Sequence, residues 1–276
     1  MINLLKADFF RVLKTKIVYI SLIIAVVLPL FIDGVFALTE KATASMMEAS
    51  LGPGEEAPSL MMGETILGYT FSPLMSFSFV FAIFPVIVIL NDFVNGTIRN
   101  KVIHGYNRHQ IFAAHFIICL VYSFILTALS AATNAICAAA FFGLTPVSAE
   151  MLPVYVLYYV IGFLGTLLTA SIGCGLALSL LNAGGIILTI VSILILSYLG
   201  TIINLILAFQ DVSHTEYFLS FFPTYFVNQL SSVNIPLQTT EGLDPVLIVE
   251  AVAGILILSG AFYALGTFVF NKRDFK

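Results

Sequence analysis

Charge is what this chain of 276 residues has least of: Asp, Glu, Lys and Arg make up 9% of it, against 60% hydrophobic residues. A mean hydropathy of +1.06 leaves too little polar surface to clothe a water-soluble globule, so the one or two soluble domains that length alone would suggest are excluded. Cysteine is scarce too. The three present, Cys119, Cys137 and Cys174, fall inside long apolar runs, where a thiol behaves as a small apolar side chain, and a disulfide framework is not supported.

Several chemistries are missing with equal clarity. Gly96 and Lys101 stand roughly as in a phosphate-binding loop, but the second Gly before the Lys and the Ser/Thr after it are absent. The chain therefore shows no means of hydrolysing ATP. Gly173-Cys174-Gly175 fails as a dinucleotide fingerprint, because Leu178 stands where the third small residue belongs, no strand precedes it and the site would lie in lipid. His104, His109 and His115 are spaced so that they share no helical face and gather no acid or cysteine, which argues against a metal. An intramembrane hydrolase would need acids, histidines or a serine and its base within the spans at helical spacing. The candidates Asp33, His115 and Glu250 lie near predicted span ends and share no motif.

What the chain has instead is long apolar runs, near 17–38, 69–90, 111–142, 153–181, 185–209 and 246–270. A helix needs about 20 residues to cross a hydrocarbon core of about 30 Å. The runs are continuously apolar, so they predict six helices rather than the short alternating strands of a barrel. The third and fourth exceed one bilayer thickness and predict tilted or projecting helices. The expected fold is thus an all-α integral membrane protein, a single domain over 1–276.

Basic residues set the sidedness, since Lys and Arg near span ends stay in the cytoplasm. Lys6, Arg11, Lys14 and Lys16 precede the first run, Arg99, Lys101 and Arg108 separate the second from the third, and Lys272, Arg273 and Lys276 follow the last; with six spans, ten of the eleven basic residues share one face. That face is expected to be cytoplasmic, with both termini on it, in the plasma membrane. The other face keeps Lys41 and twelve of the fifteen acids. The net charge of -4 hides this asymmetry and carries no message about nucleic acid. Cleavage after Val35-Phe36-Ala37 as a signal peptide is disfavoured, because the apolar run outlasts a signal's apolar region and its removal would break the charge pattern. The sequon at Asn95-Gly96-Thr97 falls on the cytoplasmic face.

Between the runs the chain is uneven. In 1–16, Ile2, Leu5, Phe9, Val12 and Leu13 gather on one side at 100° per residue, opposite Asn3, Arg11 and Lys14, which predicts an interfacial helix; Leu4 and Phe10 break the stripe. The outer segment 39–68 reads as a flexible acidic connector around Gly52-Pro53-Gly54. The segment 210–245, rich in Phe and Tyr, reads as a re-entrant or surface helix at the outer interface. Gly165, Thr169, Gly173 and Ala177 repeat small side chains every four residues and form a seam for close helix packing, against the same chain or a second copy.

The most informative stretch is the polar loop 91–110. Asp92, followed by Gly96-Thr97, then a turn and Arg108, lies between the second and third runs, behind a basic N-terminal interfacial helix and within six spans. Together these features resemble the permease subunits of ABC-2-type exporters. In that family the acid is usually Glu, and a Lys commonly stands seven residues after the Arg, where this chain has His115. Lys272-Arg273-Asp274 adds a weaker likeness.

The resemblance implies that 91–110 is a coupling loop seated in a cleft of a separate ABC ATPase subunit. The coupling residues would be Asp92, Gly96, Thr97, Ile98, Arg99, Lys101, Val102 and Arg108, with Ile98, Val102 and Ile103 docking and Arg99 and Lys101 making polar contacts. Asp92 would pair with a basic residue of the interfacial helix or the same loop, and Gly96 would permit the turn. The permease would dimerise or pair with a paralogue in membrane lipid. It would carry no cofactor itself, ATP and Mg being bound by the partner. The rival expectations are a non-transporting sensor or immunity module, and a transporter driven by an ion gradient.

Overall fold

The structure, a computed structural model, describes residues 2–48, 71–142, 152–180 and 245–272, with positions 187, 191, 192 and 195. Its principal helices are α1 (Ile2–Leu13), α2 (Lys16–Glu48), α3 (Phe71–Val94), α4 (Thr97–Ile103), α5 (Arg108–Phe142), α6 (Leu152–Leu180) and α7 (Pro245–Lys272). No strand occurs among the described residues. Four stretches are long and apolar enough to cross a membrane, Lys16–Met46, Arg108–Phe141, Phe163–Leu180 and Val252–Lys272, and a shorter apolar stretch, Ile83–Phe93, lies in α3. Length and composition thus make this an all-helical, multi-pass membrane protein.

The expected boundaries near 111, 142, 153 and 181 match α5 and α6 closely. The first does not. α2 continues ten residues past the expected end at 38, so 39–48 is helix and not connector. Glu40, Lys41, Ala42, Ala44, Met46 and Met47 are good helix formers. Thr39 and Thr43 satisfy their hydroxyls locally by donating to the Val35 and Thr39 carbonyls at 2.8 and 2.7 Å. At 1.5 Å per residue α2 is about 50 Å long, well beyond a hydrocarbon core of about 30 Å. The rest of that connector, the 210–244 segment and most of the expected span 185–209 lie outside the described residues. Within that span, Ile187, Val191 and Ile195 are helical and exposed at four-residue spacing.

α2 packs along α5, where Val18 and Ala25 share a core with Ile118, Tyr122 and Leu126, and the buried hydroxyls of Ser21 and Tyr122 hydrogen bond at 2.6 Å. α6 packs on α3 and α7. At the α6–α7 crossing the backbones nearly touch: a Cβ on Gly266 would lie 2.9 Å from Gly175 Cα, and one on Gly175 would lie 2.9 Å from the Phe262 carbonyl oxygen. Of the anticipated seam, Gly165, Gly173 and Ala177 are buried and Thr169 is half-buried. The close approach lies two residues beyond Gly173, and its partner belongs to the same chain.

Candidate functional site

α1, α4 and the facing ends of α3 and α5 meet over a core of Leu4, Val86, Ile89, Leu90, Ile98, Ile111 and Phe112, joined by Phe270 from α7. Short, capped links hold these elements in place. Asn95 and Gly96 alone separate α3 from α4, and Gly96 takes the left-handed conformation at φ 68 with its N–H donating to the Phe93 carbonyl at 2.9 Å. That conformation is what the sequence expected of Gly96. α4 ends in a second left-handed glycine, Gly105 at φ 84. The Gly105 N–H donates to the Val102 carbonyl and the Tyr106 N–H to the Lys101 carbonyl, the paired bonds of a Schellman cap. Asn107 caps α5, its Oδ1 accepting from the His109 N–H at 3.3 Å.

These caps leave a closed ring of five ionisable side chains. Lys101 on α4 donates to Asp8 on α1 at 2.6 Å. Asp8 pairs at 3.2 Å with Arg11, one turn along, and Arg11 pairs with Asp92 near the end of α3. Asp92 lies 3.3 Å from His115 Nε2 on α5, and the same Nε2 lies 3.5 Å from the Lys101 ammonium. Asp8, Asp92, Lys101 and His115 are all buried. Two carboxylates offset two cations, so the ring is neutral when the imidazole is neutral. Burial pulls the Lys101 ammonium below its usual lysine value, and the bond from Asp8 opposes that shift.

The imidazole can serve only one neighbour at a time. His115 Nδ1 faces the Ile111 carbonyl at 2.8 Å, and a carbonyl only accepts, so Nδ1 carries a proton. A neutral ring then has a lone pair at Nε2 that accepts from Lys101. A doubly protonated ring has an N–H there that donates to Asp92.

The residues expected to act in coupling divide into two sets. Asp92 does pair with the N-terminal helix, through Arg11. Ile98 and Lys101 are buried against the protein and are not available for docking, which corrects their expected placement. Val102 packs partly against the same core. Thr97 is half-buried, while Arg99, Asn100 and Ile103 face outward. The Arg108 guanidinium donates to the Asn271 carbonyl at 2.8 Å, tying the start of α5 to the end of α7.

α1 is likewise turned. Its buried row is Leu4, Asp8 and Val12, whereas Ile2, Phe9, Phe10 and Leu13 are exposed. The apolar stripe thus lies largely on the outer side, where an interfacial helix meets lipid, and Leu4, the exception to it, is the anchor. Asp8 was missed because it interrupts no stripe. Its signal was a lone acid four residues from both Leu4 and Val12.

No protein-family model, curated protein or solved structure matches the chain.

Proposed function

We propose that this chain is the permease subunit of an ATP-driven ABC exporter, forming the translocation path and coupling to a separate ATPase subunit through α4. The observation that carries this reading is the buried ring of Asp8, Arg11, Asp92, Lys101 and His115. It fixes a seven-residue helix rigidly to the elements around it while leaving Arg99 and Ile103 outward. A short helix held in this way transmits a push as a lever, and a loop that only set topology would need no buried ion pairs. The ten-to-one basic asymmetry expected with six spans supports a cytoplasmic position for α4 and both termini. The resemblance of Asp92, Gly96-Thr97 and Arg108 to ABC-2-type permeases supplies the partner class.

The test is affinity purification of the tagged chain from its native membranes in mild detergent, with mass analysis of bound subunits. An ATPase bearing a phosphate-binding loop is expected in stoichiometric amount, and Arg99→Glu with Ile103→Asp is expected to release it without impairing insertion. Recovery without any ATPase would favour a sensor or immunity module.

A further inference from the structure

The α2–α5 interface holds polar groups that nothing satisfies. Near the end where α5 begins most are paired, Ser21 with Tyr122 at 2.6 Å and Thr127 with the Ser123 carbonyl at 2.9 Å, and the Ser123 Oγ alone is partnerless there. Farther along three residues carry partnerless groups, one of them a carboxylate. Asn134 is 1% exposed, and neither its Oδ1 nor its Nδ2 has a hydrogen-bond partner. Ser130 is fully buried with a partnerless Oγ, and Asp33 is 8% exposed with a partnerless Oδ2.

The two helices pack along each other, and their register relates these residues. Ser21 and Tyr122 meet at an offset of 101 residues, and Ala25 and Leu126 of one core cluster keep that offset. Carried on along the two helices, the same offset would bring Pro29 level with Ser130 and Asp33 level with Asn134. Asp33 also acts electrostatically on Cys137, one turn beyond Asn134. Asp33 lies about 18 Å along α2 from Ser21, at 1.5 Å per residue. α2 runs on to Glu48, so Asp33 sits on a continuous helix within the apolar stretch Lys16–Met46.

A buried polar group without a partner is destabilising, and an ionisable residue inside a membrane span points to a ligand or ion site. We infer that Asp33, Asn134 and Ser130 bind a monovalent cation. The Asp33 carboxylate, the Asn134 amide oxygen and the Ser130 hydroxyl offer three hard oxygen donors, which suit an alkali ion or a primary ammonium group and not a soft metal. One carboxylate balances one positive charge, whereas a divalent ion would leave a charge uncompensated in a medium of low dielectric. The Asn134 Nδ2–H is left to donate to water completing the shell.

The full-length chain, purified in detergent without any ATPase, is assayed for binding of radioactive sodium at constant ionic strength, with potassium and methylammonium as competitors. Saturable binding of a single sodium ion per chain is expected. Displacement by potassium alone identifies an inorganic ion as the natural occupant, and displacement by methylammonium at lower concentration identifies an organic ammonium head. Asp33→Asn and, separately, Asn134→Leu are each expected to weaken binding at least tenfold with helical content unchanged, while Ser123→Ala leaves it unaltered. Absence of saturable binding of all three cations, proton uptake alone, or undiminished binding by both variants would overturn the assignment. Because no ATPase takes part, failure here leaves the coupling reading standing, and failure of that reading leaves this site intact.

Discussion

The ammonium of Lys101 donates to the carboxylate of Asp8 at 2.6 Å, across 93 residues of chain, and both side chains are all but sealed from solvent. Taking charges out of water is unfavourable unless they are paired, so the bond holds α4 against α1 as long as both partners are present. Lys101→Met leaves the ring one cation short, with Asp8 and Asp92 both dependent on Arg11, and is expected to destabilise the fold by up to about 3–5 kcal/mol, the cost of removing one partner of a buried pair. Replacing both, with Asp8→Leu and Lys101→Met, is expected to recover most of that loss. Thermal unfolding in detergent, followed by circular dichroism, compares the three chains. A single variant as stable as the unaltered chain would show that the pair does not fix α4.

Gly96 is needed for its backbone alone. Nothing lies within 4 Å of where a Cβ would sit, yet its φ is +68. Gly96→Ala is therefore expected to cost about 1–2 kcal/mol, the penalty of a left-handed residue carrying a side chain, and Gly96→Pro more, since its fixed φ is incompatible and it removes the N–H bonded to Phe93. The same unfolding experiment ranks the variants, and equal stability of all three would contradict the turn.

Gly175 and Gly266 are needed for space. A Cβ at either would meet backbone at 2.9 Å, so Gly175→Ala and Gly266→Ala are each expected to push α6 and α7 apart and lower the unfolding midpoint. Gly260 has nothing within 4 Å, and Gly260→Ala on the same helix is expected to be neutral or to stabilise by about 0.5–1 kcal/mol. Loss of stability in the Gly260 variant equal to that in the other two would remove the case for a specific crossing.

Asn100 and Met46 are both exposed, on α4 and near the end of α2. In a chain freed of its three cysteines, a cysteine at position 100 is expected to react only with reagent from the cytoplasmic side, and one at position 46 only from outside. Labelling of both from the same side would overturn the assigned topology.

The sequence disclosed the helical class, the ends of α5 and α6 and the turn at Gly96, because apolar run length and glycine placement are local properties. The pairing of Asp92 with a basic residue of the N-terminal helix was expected only through the resemblance to ABC-2-type permeases. The sequence did not disclose Asp8 or the inward turn of Lys101. Helical periodicity places residues on a face, but which face meets the protein depends on neighbours far along the chain. On α4 that left Lys101 on the docking side, although it points to Asp8. The end of α2 was misplaced for a different reason: hydropathy falls at Glu40 and Lys41, while the helix runs on to Glu48.

The most direct measurement is ATP turnover with the purified chain in lipid. Alone it is expected to hydrolyse no ATP above a blank. With the ATPase that co-purifies from its native membranes it should support turnover coupled to cargo movement, and Gly96→Pro should leave turnover but abolish that movement. Cargo movement without any ATPase, or coupling unimpaired by Gly96→Pro, would contradict the role assigned to α4.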